Sequence, residues 1–395
     1  MNHTLLKICA ATTLINAGIA NAVIVPPPAV PAEHYIIIDN ETGSAIAEKN
    51  ADEKRHIASL TKLMTAYVVF NEIEEGTLSL EDKVRVSNKA WKATGSSMFI
   101  EVGKTVSVDD LIKGMLVVSG NDAAIALSEH IAGTEEEFVA IMNAYSKKLG
   151  MDNTLFGNST GLPTSIKNAH STARDISILS REIIKRFPEH YSNFKLKEFE
   201  YESIKQRNRN ALLFDSPHYD GLKTGFTNAA GYNLASSFMK DDRRVTTVVL
   251  GAKTSNDRFL SAKSLTNYGF RRFHNVDAVT TDMVIHDIPV YYGTESTVSA
   301  YPATGYTVTL PRPLSSNDNS NDIVLKAYFD SNGDAGTILF APITDSYQVG
   351  SLEVHYKDQL LKTIPLITNE KMEQGTWFGK FKDWVALSII DPLKK

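Results

Sequence analysis

Ser59-Leu60-Thr61-Lys62 sets a hydroxyl and an amine three residues apart, at the head of a run whose apolar residues recur with helical spacing. On a helix that interval puts both side chains on one face, so the amine reaches the hydroxyl. A serine attacks a carbonyl only when a neighbouring base takes its proton. Lysine serves as that base only where burial or nearby positive charge lowers its pKa. The four-residue pattern alone occurs by chance in many proteins. Ser119-Gly120-Asn121 follows 60 residues later, and Lys223-Thr224-Gly225 another 104 beyond it. A serine and an amide can line one wall of a cleft and relay a proton to a leaving amine. A lysine–threonine pair offers a cation and a hydroxyl to a carboxylate, and the glycine lets backbone approach backbone. Each triplet is common by itself; the three together in this order are rare.

The surrounding pattern supplies elements to carry them. Leu60, Leu63, Met64, Tyr67, Val68 and Ile73 predict a helix from Leu60 to Glu75, with Gly76 as its stop. Ser107 opens a second helix ending near Val118, so Ser119-Gly120-Asn121 falls between it and the next apolar helix. Thr134 and Glu137 have capping-box spacing for a helix ending at Gly150, and His170 to Arg186 reads as another. His34–Asn40 and Ala45–Glu48 resemble a hairpin turning at Glu41-Thr42-Gly43. Tyr232–Met239 and Arg243–Lys253 read as strands, preceded by Lys223-Thr224-Gly225 and followed by a helix over Asn256–Phe270. Strands at both ends and helices between predict one sheet with a helical cluster against it, an α+β arrangement over residues 33–274. From residue 275 helical periodicity gives way to short β runs: Met283–Tyr292, Tyr306–Leu310, Ile323–Phe329 and Ser351–Tyr356. Turn clusters such as Ser315–Asp322 separate them, predicting a small all-β domain over 275–367.

The two ends predict a location. Residues 1–22 combine Lys7, a short apolar stretch and Ala20-Asn21-Ala22, the pattern of a cleaved export signal. Ile8 before Cys9 argues against a lipid-acceptor cysteine, and beyond the signal the chain has no cysteine, so no thiol can be the nucleophile. Over 375–395, Trp377, Phe381, Trp384, Val385 and Ser388 share a helical face with Phe378, Leu387 and Ile389 beside it. Lys380, Lys382 and Asp383 lie towards the other side, and Lys394-Lys395 follow. Such a strip suits the headgroup boundary of a bilayer. With 395 residues, 22% of them charged, and a net charge of -5, nothing points to nucleic acid. Ten histidines without an HExxH pair and a single cysteine disfavour a metal site; no cofactor is expected.

The set S-x-x-K, S-G-N and K-T-G resembles that of the low-molecular-mass penicillin-binding proteins, the serine D-alanyl-D-alanine carboxypeptidases. Gly95–Phe99, Ser119–Ala123, Asn208-Arg209-Asn210, Asp220–Gly225 and Ala230–Leu234 extend the likeness over almost the whole chain. The resemblance implies a β-lactamase/transpeptidase-like catalytic domain, then the β-rich domain and the amphipathic tail. It implies Ser59 as nucleophile on peptidoglycan stem peptides, Lys62 as base, and Ser119 and Asn121 positioning substrate and passing the proton. Lys223, Thr224, Arg209 and Arg258 become candidates for the terminal carboxylate. The Ser59 amide and one on the Lys223-Thr224-Gly225 strand, expected at Phe226, would form the oxyanion hole. β-Lactams would acylate Ser59, and the protein would sit outside the cytoplasmic membrane, on its periplasmic face. Phe226 departs from the family pattern, which has a polar histidine there, and the expectation is slower clearance of the acyl-enzyme. A β-lactamase would need a glutamate in the stretch Asn158–Ala173, which has none. A cross-link endopeptidase and a non-catalytic wall-binding protein are the remaining alternatives.

Overall fold

The computed structural model describes residues 26–163, 169–312, 323–330 and 338–390. The expected export signal (1–22), the Ser315–Asp322 cluster and Lys394-Lys395 lie outside the described residues, as do the side chains of Ser388 and Ile389. The chain divides into two compact units, one over Val25–His274 and one that takes in Asn275–Lys395.

The strands of the first unit are β1 (His34–Asp39), β2 (Ala45–Lys49), β3 (Tyr219–Thr227), β4 (Gly231–Lys240) and β5 (Arg243–Ala252). They form one antiparallel sheet in the order β2-β1-β5-β4-β3. The N-terminal strand lies inside the sheet between β2 and β5, with Ile36 opposite Val248 and Ile38 opposite Thr246. Asp241 and Asp242 both take positive φ in the two-residue turn joining β4 to β5, a geometry that matches strand twist and that aspartate tolerates. Alternation sends Ile36 and Ile38 into the core shared with the helical cluster and Tyr35 into the core on the other face. The cluster contains α1 (Lys62–Glu74), α2 (Val108–Val117), α3 (Asn121–Ala132), α4 (Glu135–Lys148) and α5 (Ala173–Arg186); α6 (Ser255–Arg272) covers the far face. Ser107, Thr134, Thr172 and Thr254 each cap a helix by accepting a hydrogen bond from the backbone N–H of an acidic residue three positions on. In α1 every residue from Lys62 to Asn71 is buried, so this helix is an axle of the core rather than a surface helix.

Several sequence expectations shift. Lys223-Thr224-Gly225 does not merely precede a hairpin; it lies within β3, the edge strand of the sheet. Ser59 belongs to a 3-10 turn, Ala58–Thr61, and the α-helix proper starts at Lys62. The helix expected from His170 starts at Ala173, because His170 and Ser171 are held extended by pairing with Leu155 and Arg55. Two small antiparallel pairs, Lys83–Arg85 with Thr105–Ser107 and the hairpin Glu198–Tyr201 with Ile204–Arg207, lacked apolar periodicity.

The second unit is a six-stranded sheet in the order Ile323–Phe329, Gln348–Tyr356, Gln359–Thr368, Thr297–Pro302, His286–Tyr291, Leu339–Phe340. A two-stranded sheet pairs Phe273–Val279 with Tyr306–Pro311. Ile288, Ala300, Val354 and Leu366 are buried at its centre. Backbone pairing continues past Ile367, Met372 bridging to Ile343 and Gln374 to Gly293, up to a helix over Trp377–Ile390. Among the described residues no helix is long and apolar enough to cross a membrane.

Candidate active site

Ala58, just before Ser59, has φ +48, a left-handed backbone that a residue with a Cβ takes only when its surroundings impose it. Gly161 presses on this turn. Its own φ is +80, and a Cβ there would lie 1.9 Å from the Ala58 carbonyl oxygen and 2.7 Å from Thr61 Oγ1. Leu60 and Thr61 are buried by the turn while Ser59 stays partly open.

Lys62 is fully buried, with Nζ 3.3 Å from Ser59 Oγ, 2.6 Å from Asn121 Oδ1 and 2.9 Å from the Thr160 carbonyl oxygen. Burial lowers its pKa to about 7, against the opposing pull of the Asp122 and Glu135 carboxylates. Asn121 donates Nδ2 to the Thr94 carbonyl at 2.6 Å, which orients Oδ1 towards the lysine. A neutral amine has two hydrogens and one lone pair. Two of its partners are oxygens that only accept, so they take both hydrogens and leave the lone pair for the Ser59 hydroxyl. That arrangement can draw a proton from serine.

The other predicted residues border this centre. Ser119, 3% exposed, holds φ +67 in the short link between α2 and α3, whose first residue is Asn121. Lys223 is buried and donates to the Thr224 carbonyl at 3.1 Å. Its pKa falls well below the usual lysine range, through burial first and then the positive charges of Lys62, Arg209 and Arg258. Thr224 is buried beside it. A Cβ on Gly225 would meet the Ile57 carbonyl oxygen at 2.7 Å and the Ser59 nitrogen at 3.0 Å, so only glycine lets β3 run against the amide of Ser59. Phe226 comes next, 47% exposed, its ring 4.3 Å from that of Tyr232.

The two arginines are placed differently from each other. Arg209 is exposed and donates Nε to the Val118 carbonyl at 3.2 Å, next to Ser119. Arg258 is buried and directs Nη1 at the Gly225 and Asn233 carbonyls, 3.4 and 3.3 Å away; burial lowers its pKa to about 10. It supports the strand backbone rather than opening into solvent.

Sequence reasoning missed four contributors. The Thr160 carbonyl bonds Lys62 directly, and an Asx turn at Asn158 followed by Gly161 was the available signal. Ser159 and Glu135 lie behind Thr160. Asp122, within the Ser119–Ala123 stretch, accepts from the N–H groups of Met98, Phe99 and Ile100 and from the Ser97 hydroxyl. It thereby ties down the loop whose Ser96 carbonyl takes the Asn121 N–H at 2.7 Å.

Known proteins share this architecture. The D-alanyl-D-alanine carboxypeptidase family matches residues 21–254, and the C-terminal domain of penicillin-binding protein 5 matches residues 273–374. D-alanyl-D-alanine carboxypeptidase DacC of Escherichia coli strain K12 is 40% identical over 373 residues, spanning 92% of this chain and 90% of that protein. Penicillin-binding protein 5 from Haemophilus influenzae superposes with a TM-score of 0.77 at 32% identity, covering 89% of this chain and 100% of that one. Penicillin-binding protein D2 from Listeria monocytogenes, solved in its ampicillin-bound form, gives 0.58 at 34% identity over 62% of this chain and 100% of its own. The likeness runs through both units rather than through the motifs alone, and the chain belongs to the D-alanyl-D-alanine carboxypeptidase family, serine-type hydrolases among the penicillin-binding proteins.

Proposed function

We propose that the protein removes the terminal D-alanine from peptidoglycan stem pentapeptides through an acyl-enzyme on Ser59. The observation that carries this reading is the Lys62 amine, buried, with its pKa lowered to about 7, and 3.3 Å from the Ser59 hydroxyl. As Ser59 Oγ attacks the carbonyl between the two D-alanines, its proton passes to Lys62. The oxyanion meets the backbone amides of Ser59 and Phe226. The C–N bond then breaks, the departing nitrogen takes a proton by way of Ser119, and Asn121 keeps the acyl chain in line. Lys223, Thr224 and Arg209 receive the substrate's terminal carboxylate, whose charge offsets a cleft crowded with cations. Arg258 acts from behind, through the carbonyls of the strand. Water hydrolyses the ester and restores the serine.

A β-lactam presents the same carbonyl, but its leaving nitrogen stays tethered and the ester persists. Phe226, exposed where a polar group would serve hydrolysis, slows that last step further. The reading includes export, removal of residues 1–22, and tethering to the periplasmic face of the inner membrane by the C-terminal helix.

Incubating the purified protein with a stem pentapeptide is expected to release free D-alanine, and Ser59→Ala to abolish release. Cleavage of a cross-linked dimer with the pentapeptide left intact would make the protein an endopeptidase. Turnover of neither would leave a wall-binding role.

A further inference from the structure

A chain of contacts runs outward from Lys62 to a carboxylate that never enters the cleft. The lysine donates to the Thr160 carbonyl at 2.9 Å. The residue before it, Ser159, is wholly buried and gives both its N–H and its hydroxyl to Glu135 Oε1, at 2.9 and 2.6 Å. The Ser159 carbonyl in turn accepts from Thr65 Oγ1 at 2.7 Å, one helical turn along α1 from the lysine. Asn158 closes the turn by accepting from the Gly161 N–H at 2.7 Å. Glu135 is the first residue of α4 and 8% exposed; its second oxygen faces outward to Lys89 Nζ at 3.0 Å. An acidic residue at the start of a helix ordinarily serves the helix dipole in solvent. This one is turned inward and grips a loop.

We infer that Glu135 is a positioning residue for the catalytic base: through Ser159 it fixes the turn 158–161 so that the Thr160 carbonyl holds one hydrogen of the Lys62 amine and its lone pair stays on Ser59. The inference rests on Lys62 acting as the base in the reaction proposed above. The same carboxylate acts through its charge. Lys62 is faced by Asp122 from α3, Glu135 from α4 and Lys223 from β3, and the two carboxylates favour its protonated form. Removing the negative charge of Glu135 therefore makes the amine lose its proton at lower pH. Removing Lys89, which partly neutralises Glu135 from outside, does the reverse.

The test is the second-order rate of Ser59 labelling by a fluorescent penicillin, measured across pH on the full chain. Wild type is expected to gain rate as pH rises through the lysine's titration. Glu135→Gln, which keeps an oxygen for Ser159, should move that rise to lower pH and reduce the plateau several-fold; Lys89→Met should move it to higher pH. Glu135→Ala, which also releases the turn, should lose roughly 10²-fold, the scale of a displaced catalytic group. Thermal melting of each variant shows that it is folded. Glu135→Gln and Lys89→Met profiles that coincide with wild type in midpoint would overturn the inference. So would a rate loss equal at every pH, which is what a merely structural glutamate produces. A wild type that takes no label at all would instead overturn the reaction itself.

Discussion

Two of the three directions around the Lys62 nitrogen end on oxygens that can only accept, and the third ends on the Ser59 hydroxyl. Protonation therefore decides the chemistry: the ammonium form has no lone pair for serine, and the neutral form has one. With the pKa lowered to about 7 by burial, acylation by penicillin should rise with pH and reach half its plateau close to neutrality. Lys62→Arg, charged at every accessible pH, should lose about 10²–10⁴-fold and show no such rise. A wild-type profile flat between acid and neutral pH would end the assignment of Lys62 as base. The sequence carried the serine, the lysine and the spacing between them, because helical geometry converts an interval of three into contact. It also carried one acceptor, Asn121, but neither the second nor what holds that second one in place. Thr160 contributes a backbone carbonyl, which any residue type would supply. Glu135 looks in sequence like the ordinary acidic start of a capped helix, and its burial arises only when the loop at 158–161 folds over it.

The elements around the site show how strain is distributed. Ala58 and Ser119, each beside or within a candidate motif, adopt left-handed backbone without being glycine. Such positions cost on the order of 1–3 kcal/mol each and persist only where packing over-determines them. For Ala58 the packing partner is Gly161, whose missing side chain leaves just enough room for the carbonyl opposite. Gly161→Ala should thus disturb the nucleophile from a residue that forms no bond to it. An added methyl against backbone at φ +80 should destabilise the unit by about 2–4 kcal/mol and displace Ser59. The expected readouts are a thermal midpoint lowered by several degrees and penicillin labelling reduced even well below that midpoint. Unchanged melting and labelling would show that the loop yields freely. β3 illustrates why such elements escape a reading of periodicity. It carries two glycines and a buried lysine where an alternating apolar face would announce a strand. What holds it in the sheet is the register with β4, Thr224 opposite Leu234 and Phe226 opposite Tyr232, a long-range pairing invisible in its own residues.

At the scale of the molecule, the C-terminal helix inverts the usual rule for a surface helix. Gly379, Lys380, Asp383, Ala386 and Leu387 are the less exposed positions, and Asp383 accepts the Tyr292 N–H at 2.7 Å. That side rests on the helix's own β-rich unit. The aromatic side points away: Trp377, Phe381 and Trp384 are 78%, 53% and 58% exposed and stack ring on ring 6.1 and 6.0 Å apart. A helix meant to complete its own core would turn those rings inward. Held through Asp383 on its other side, this one leaves them in solvent, which supports the proposed tether, since the headgroup boundary of a bilayer suits an aromatic strip edged with lysine. Each ring partly removed from water contributes about 1–1.5 kcal/mol, so replacing all three by alanine should weaken partition onto anionic vesicles by about 10²–10³-fold. Deleting residues 375–395 should leave the protein in the supernatant. D-Alanine release from a soluble pentapeptide should survive both changes, since no residue of this helix belongs to the candidate site. Co-sedimentation of the triple variant at the wild-type level would refute the anchor. Loss of soluble-peptide activity alongside membrane binding would mean that the helix supports the fold rather than the address.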